Sequence, residues 1–153
     1  MVKKTSMEII LQKATELGIA KIIPIISERT EVKDLNLERA KKIVVEATEQ
    51  SNQLNVPDIE EPQKLKDFIN SLDSNTSLFF ADINTEKKID NKIIKKSKKI
   101  SLLIGPEGDF SPNEREMILA RDNVISFSLS KNILRTETAA ISALSLINYS
   151  LNL

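Results

Sequence analysis

The sequence predicts an α/β fold, a parallel sheet of five or six strands with helices on both faces. Short apolar runs rich in β-branched residues alternate along the chain with segments of helical periodicity, as in βαβ units. Two polar loops, 104–112 and 129–140, each follow a strand-like run and lead into a helix. Because open α/β sheets bind ligands at the carboxyl edge of their strands, we expect both loops to meet there.

The first elements are a helix, a strand and a second helix. Apolar residues recur at helical spacing over 7–17, and Gly18 is expected to end that helix as a C′ glycine. The β-branched run 21–27 predicts one strand, at a sheet edge or ending early because Pro24 cannot donate to a ladder. Amphipathic periodicity predicts a second helix over 37–51.

The middle of the chain predicts short strands around a helix and a basic segment. Residues 56–59 are expected to form a short strand, and a helix is expected to begin at Pro62. The apolar runs 77–81 and 100–104 are typical of buried strands. Between them, the lysine-rich segment 87–99 predicts a short helix that is either a solvated face or a surface that contacts phosphates.

The C-terminal part predicts a capped helix, a last strand and a final helix. Ser111 is expected to be an N-cap, with Pro112 at the first helical position and Glu114 completing a capping box. The run 124–129 predicts the last strand, and apolar residues over 140–151 predict the last helix. More than one face of that helix is apolar, so we expect it to form a dimer interface with the helix near Met7.

Composition excludes several classes of chemistry. The 153 residues include neither cysteine nor histidine, so thiol nucleophiles, Ser-His-Asp relays and His/Cys zinc sites are ruled out. No carboxylate cluster or Walker-type loop predicts a metal. Basic and acidic residues balance at 22 each, so overall charge does not predict nucleic-acid binding. No apolar run is long enough to span a membrane and no signal peptide is recognisable, so we expect a cytoplasmic protein.

The first polar loop contains Gly105-Pro106-Glu107-Gly108 directly after a buried strand. Glycine permits positive φ angles and lets a ligand approach the backbone closely, while proline stiffens the turn. A tight βα turn with no ligand is the alternative explanation. The motif is not a Rossmann fingerprint, because it lacks the third glycine and the position near the first strand.

The second polar loop places Arg135 and Glu137 two residues apart at the start of a helix. Thr136 or Thr138 is the expected N-cap, and Glu137 suits the positive end of the helix dipole. This explanation is wholly structural. Arg135, however, is unfavourably placed at a helix start, which favours a role in binding a partner.

Together these motifs resemble a known family. Ile-Gly-Pro-Glu-Gly at 104–108, then Phe-Ser-Pro-x-Glu, then Ser-Leu-x-x-x-Ile-Leu-Arg-Thr-Glu-Thr-Ala at 128–139 are similar to the methyltransferase domain of the bacterial 16S rRNA (uracil-N3)-methyltransferases. This is the RsmE family of the SPOUT, or α/β-knot, superfamily. Residues 13–18, 23–29 and 46–51 resemble its opening helix, strand and next helix, so the resemblance covers essentially the whole chain.

The resemblance implies a C-terminal deep trefoil knot, a homodimer, and a 16S rRNA substrate in the small ribosomal subunit. It also implies that S-adenosyl-L-methionine is the cofactor. The residues implied to bind it are Phe80, Ala81, Ile104, Gly105, Glu107, Gly108, Leu129, Asn132, Ile133, Leu134 and Thr138. For the transfer to uracil N3, Glu137 is the candidate base and Arg135 the candidate to stabilise the uracil anion or a phosphate. Purely structural roles for both residues are the alternative.

The sequence also departs from the family pattern. The family's usual N-terminal PUA-type RNA-binding domain has no counterpart, so residues 1–153 are expected to be the methyltransferase domain alone. Asp109 stands where a glycine is common, Ser130 and Asn132 replace a usual glycine and arginine, and an arginine expected just after Ser51 is missing. The alternative function is therefore a knotted, dimeric cofactor-binding module without turnover of its own.

Overall fold

The computed structural model describes residues 2–31 and 34–151. Helices and strands alternate along this part of the chain, as the sequence predicts. In chain order the elements are α1 (Lys4–Glu16), β1 (Lys21–Ile22), β2 (Ile25–Ile26), α2 (Leu37–Gln50), β3 (Asp58–Ile59), β4 (Gln63–Lys64), α3 (Leu65–Ser71), β5 (Thr76–Ala81), α4 (Asn91–Lys96), β6 (Lys99–Ile104), α5 (Pro112–Leu119), β7 (Val124–Phe127) and α6 (Thr136–Leu151). Gly18 follows α1 with φ +77°, the left-handed conformation expected of a C′ glycine.

Every strand pair in the described residues is parallel, but the strands do not form one sheet of five or six. The main sheet has the order β6-β5-β7, with Thr76 opposite Lys99 and Leu78 opposite Val124. Two further pairs, β1 with β3 and β2 with β4, are hydrogen-bonded separately. The carboxyl ends of β5, β6 and β7 therefore meet at one edge.

Pro24 explains why the predicted strand 21–27 is divided. It has no N–H to donate, and its carbonyl oxygen accepts a hydrogen bond from Gln63 N–H at 3.0 Å. The chain thus pairs with β3 before the proline and with β4 after it. The helix predicted to begin at Pro62 is present, but it begins at Leu65, because residues 63–64 pair with β2 as a strand.

Two further boundaries differ from those predicted. The last strand ends at Phe127 instead of position 129, because the Ser128 N–H bonds outside the sheet to the Lys87 carbonyl. Helix α6 begins at Thr136, and its first backbone bond runs from Ala139 N–H to the Arg135 carbonyl. Thr136 and Thr138 are thus inside the first turn, and neither is the N-cap.

The main sheet has a hydrophobic core on each face, as predicted. Successive side chains of β5 alternate between the faces: Leu78 and Phe80 pack with α3 and α5, while Phe79 packs with α4 and α6. Helices α1 and α2 form a further core through Leu11 and Val44. No helix among the described residues is long and apolar enough to cross a membrane.

Candidate functional site

One cavity lies at the carboxyl edge of the main sheet, where the sequence predicts a ligand site. It is formed by the loops after β5, β6 and β7 together with the first turn of α6. Its lining residues are Ala81, Asp82, Ile83, Ile104, Gly105, Pro106, Glu107, Asp109, Ser128, Leu129, Ser130, Asn132, Ile133, Leu134, Thr136 and Ala139. The two polar loops singled out in the sequence therefore meet around one cavity.

Most of the residues expected to bind a cofactor line this cavity. They are Ala81, Ile104, Gly105, Glu107, Leu129, Asn132, Ile133 and Leu134. Phe80 does not, because it points into the core and packs edge-on against Phe110 with ring centroids 5.7 Å apart. Gly108 faces Arg29 instead, and Thr138 is exposed on α6.

Several lining residues were absent from the predicted set. Three of them lie within the segments 80–82, 105–108 and 129–134 that contain the predicted residues: Asp82, Pro106 and Ser130. The other five lie outside these segments: Ile83, Asp109, Ser128, Thr136 and Ala139. Asp82 and Ser128 directly follow the last residues of β5 and β7, so their position at strand ends was the available signal. Thr136 and Ala139 lie in the first turn of α6. The sequence predicts where this helix begins, but not which of its side chains face the cavity.

The cavity residue Asp82 forms an ion pair in which the carboxylate is buried and the arginine is partly exposed. The carboxylate of Asp82 is fully buried and accepts hydrogen bonds from Arg115, at 3.1 Å from Nε and 2.8 Å from Nη2. The Asn84 backbone N–H donates a further bond to it at 2.9 Å. The Asp82 contact is the main reason why the pKa of Arg115 is raised, and the charge of Asp109 adds to it. The negative charge of Asp82 is thus compensated by Arg115, which does not itself line the cavity.

Glu114 fixes the start of α5 and, with it, the loop 105–111. The predicted capping box is present: Ser111 Oγ accepts from Glu114 N–H, and Glu114 Oε2 accepts from Ser111 N–H at 3.0 Å. The other carboxylate oxygen accepts from Glu28 N–H at 2.8 Å. Arg29 Nη1 donates to the Gly108 carbonyl at 2.9 Å. Two side chains therefore join the cavity loop to the turn that follows β2.

The loop after β7 lies against the loop after β5. Ser128 N–H donates to the Lys87 carbonyl at 2.7 Å, and Asn132 N–H donates to Ser130 Oγ at 3.0 Å. Ile133, at the rim of the cavity, is 84% exposed. A large apolar side chain so exposed at a cavity rim is suited to cover an apolar group of a ligand.

Arg135 and Glu137, the candidate catalytic residues, lie beside the cavity but do not line it. Arg135 is exposed and follows the lining residue Leu134, while Glu137 is half-buried in the first turn of α6. Neither side chain hydrogen-bonds or forms an ion pair with any other residue that the structure describes. Both are therefore free to meet a group that arrives at the rim.

The character of the cavity restricts its ligands. Its walls combine aliphatic side chains with three carboxylates, and among the described residues no lysine or arginine lines it. The described residues also contain no cluster of three or more metal-ligating side chains. A phosphate-rich ligand is disfavoured here, whereas a partly apolar, cationic ligand is favoured.

Comparison with known proteins gives a consistent result. The family described as "RNA methyltransferase domain" matches residues 1–148. The chain is 38% identical over 149 residues to ribosomal RNA small subunit methyltransferase E of Rickettsia conorii, covering 94% of this chain and 59% of that protein. It thus spans about three-fifths of the length of the curated relatives it matches.

Solved structures resemble the fold closely. A ribosomal RNA small subunit methyltransferase E from Neisseria gonorrhoeae, bound to S-adenosyl methionine, has a TM-score of 0.90 at 31% identity, covering 97% of this chain and 62% of that one. The SpoU methyltransferase AviRb from Streptomyces viridochromogenes has a TM-score of 0.55 at 18% identity. It covers 99% of this chain and 58% of that one, and this likeness concerns the fold alone.

Proposed function

The chain belongs to the RNA methyltransferase domain family, with SPOUT methyltransferases as its structural neighbours, and on that premise we propose that it binds S-adenosyl-L-methionine and methylates uracil N3 in 16S rRNA of the small ribosomal subunit. The observation that carries this proposal is the cavity. Loops after three parallel strands, two of them bearing the family motifs, meet around one space. The relative from Neisseria gonorrhoeae, whose structure contains S-adenosyl methionine, is 31% identical.

The residues of the cavity suit this cofactor. Aliphatic side chains of Ile104, Leu129 and Ile133 offer an apolar surface for an adenine ring. Gly105 adds no side chain where the loop backbone borders the cavity. When bound, the cofactor supplies a methyl group from a sulfonium, and the carboxylate-lined wall tolerates that positive charge.

The chain's own residues would position the nucleophile and handle its proton. Methyl transfer depends on an in-line approach, so positioning is the main contribution of the protein. Glu137 would accept the proton of uracil N3, and Arg135 would stabilise the developing anion or bind an adjacent phosphate. Their side chains have no partners among the described residues, which leaves both available for this task.

The second candidate is a dimeric, knotted cofactor-binding module that does not turn over by itself. It is favoured by one fact: basic and acidic residues balance at 22 each, so overall charge gives no attraction for RNA. RNA affinity would then depend on a partner or a segment other than residues 1–153.

Calorimetry and a methylation assay separate these two functions. We expect this chain to bind S-adenosyl-L-methionine in calorimetry under either proposal. Transfer of a radiolabelled methyl group to small-subunit particles, located on uracil N3 by nucleoside analysis, supports the enzyme. Binding without transfer, restored when the chain is extended to the length of its relatives, supports the module. Absence of binding contradicts both.

We further propose that the chain is cytoplasmic, forms a homodimer and has a trefoil knot at the C-terminal end of its sheet. The motifs of both loops, and the bond between Ser128 N–H and the Lys87 carbonyl that joins two of the loops, support the knot. Pulling both termini of a single molecule tests it, because a tightened knot leaves a contour shorter than about 3.3–3.6 Å per residue. A fully extended contour contradicts the knot.

A further inference from the structure

Asp109 is one of the three carboxylates of the cavity wall, and the proposed reaction gives it no individual role. It follows Gly108 in the loop after β6, and its carboxylate borders the cavity. The residue is half-buried, so its charge is only partly screened by solvent. Asp109 is therefore placed to act on a bound ligand through its charge.

The backbone holds this carboxylate in a defined place. Asp109 has φ +56°, a left-handed conformation that aspartate and asparagine adopt more readily than most residues. Its N–H donates to the Pro106 carbonyl at 2.9 Å, which closes the turn. A Cβ on Gly105 would approach Asp109 Oδ1 to 2.9 Å, so the carboxylate packs directly over the glycine.

The charge of Asp109 is not neutralised by a direct partner. Asn84 Nδ2 lies 3.4 Å from Oδ2, a long contact with a neutral amide. No lysine or arginine among the described residues forms an ion pair with it. Arg115 feels the charge of Asp109 at longer range, but its direct ion pair is with Asp82, and the exposed Glu107 accepts a bond from the Lys3 backbone N–H.

We propose that Asp109 makes the cavity select for the positively charged methyl donor over its neutral product. This inference rests on the proposed function. S-adenosyl-L-methionine carries a sulfonium cation, whereas S-adenosyl-L-homocysteine, which remains after the methyl group has left, has an uncharged thioether. A fixed, half-buried carboxylate attracts the first and not the second. Asp109 would thereby favour entry of the donor and release of the product.

The test is calorimetry with both compounds on the wild-type chain and on Asp109→Asn. Asparagine keeps the size of the side chain and tolerates the left-handed backbone, so only the charge is removed. We expect the wild-type chain to prefer the donor, and Asp109→Asn to reduce that preference about tenfold, a change of about 1.4 kcal/mol. The affinity for S-adenosyl-L-homocysteine should remain the same. Added salt should weaken donor binding more in wild type than in the variant.

Glu116→Gln is the matched control, because it removes an exposed carboxylate on the adjacent helix α5, outside the cavity. Solvent screens that charge, so we expect the ratio of the two affinities to change little. An equal loss in both variants would assign the effect to the overall charge of the chain and overturn the inference. An Asp109→Asn variant that binds both compounds equally more weakly would overturn the inference in favour of a contact with a group they share, a ribose hydroxyl or the α-ammonium.

A second substitution at the same position, Asp109→Gly, keeps the test decisive if Asp109→Asn does not fold. Asp109→Gly also accepts φ +56° and removes the carboxylate, so it should show the same lowered preference. An unchanged preference in Asp109→Asn or Asp109→Gly, with both compounds still bound, overturns the inference and leaves the proposed function intact. A wild-type chain that binds neither compound overturns the proposed function and the inference with it.

Discussion

Arg115 on α5 binds the buried carboxylate of Asp82 at the end of β5, with Nη2 2.8 Å from Oδ2 and Nε 3.1 Å from both oxygens. The pair joins the helix that covers one face of the sheet to the floor of the cavity. Because Asn84 N–H bonds to the same carboxylate, this ion pair also orients the loop after β5. The stability of the fold and the shape of the cavity are therefore coupled at Asp82.

We expect Arg115→Met to lower the free energy of unfolding by about 3 kcal/mol, the low end of the range for buried pairs, because it leaves the buried Asp82 carboxylate without its cationic partner while Arg115 itself is 32% exposed. Chemical denaturation measures this value. Arg39→Met is the control: it breaks an ion pair with Glu8 that is largely exposed, which typically contributes about 0–1 kcal/mol. Equal losses in the two variants would contradict the special role of the buried pair.

The capping box formed by Ser111 and Glu114 should stabilise the start of α5. Ser111→Ala removes the oxygen that accepts from Glu114 N–H and should cost about 1 kcal/mol of stability. Glu114→Ala should cost more, because it leaves both Ser111 N–H and Glu28 N–H without their acceptor. Thermal unfolding compares the two variants. A smaller loss in Glu114→Ala would show that water replaces the carboxylate at both sites.

The sequence predicts those parts of this fold that depend on local pattern. The capping box at Ser111 and the left-handed Gly18 follow from residue types at fixed spacing, and the structure confirms both. The strand at residues 63–64 was missed, because it exists only through pairing with β2 across a long stretch of chain. Tertiary pairing overrode the local helix signal of Pro62.

The same distinction applies to the cavity. Motif residues such as Gly105 and Leu134 could be assigned to one site because they follow strand ends. The pairing of Asp82 with Arg115, 33 residues apart, follows from no local pattern. The orientation of Phe80 likewise depends on which face of the sheet its strand presents to Phe110, and the motif does not contain that information.

We expect the lysine-rich segment to contact RNA phosphates. Lys95 and Lys96 end α4 with exposed side chains, and the carbonyl of Lys87 in the same segment bonds to the cavity residue Ser128. In Lys95→Gln/Lys96→Gln, affinity for a small-subunit rRNA fragment should fall. The slope of log affinity against log salt should decrease by about 0.7–0.9 for each lost contact.

The control for this charge change is Lys41→Gln/Lys66→Gln. Both of these lysines are exposed on other helices, α2 and α3. Filter binding over a salt series compares the two double variants. If both lower the affinity equally, the segment is a solvated face, as lysine-rich helices usually are.

A homodimer should form through α6 and α1, which pack together through the bond from Asn148 Nδ2 to the Leu17 carbonyl. Tyr149 is 80% and Leu146 42% exposed, an apolar surface that the single chain leaves uncovered. We expect sedimentation at tens of micromolar, roughly the range for a stable dimer, to show a dimer that Leu146→Glu disrupts. Leu119→Glu, on α5, should leave it intact, and a wild-type monomer contradicts the proposed interface.

Substitutions at Arg135 and Glu137 test whether these residues act in catalysis or only stabilise the start of α6. Neither side chain has a partner among the described residues, so Arg135→Ala should change stability by less than about 0.5 kcal/mol. Glu137→Ala loses only its interaction with the helix dipole, about 0.3–1 kcal/mol. Methylation should nevertheless fall strongly in both variants, measured in a form of the enzyme with the length of its relatives.

Affinity for S-adenosyl-L-methionine distinguishes the two explanations for this pair. The two side chains do not line the cavity, so calorimetry should show cofactor binding close to wild type in both variants. A structural role predicts the opposite pattern, in which melting temperature and cofactor affinity fall together while turnover per bound cofactor persists. Wild-type turnover in both variants would end the catalytic assignment, because no proton acceptor or anion-stabilising group would then have been removed from the reaction.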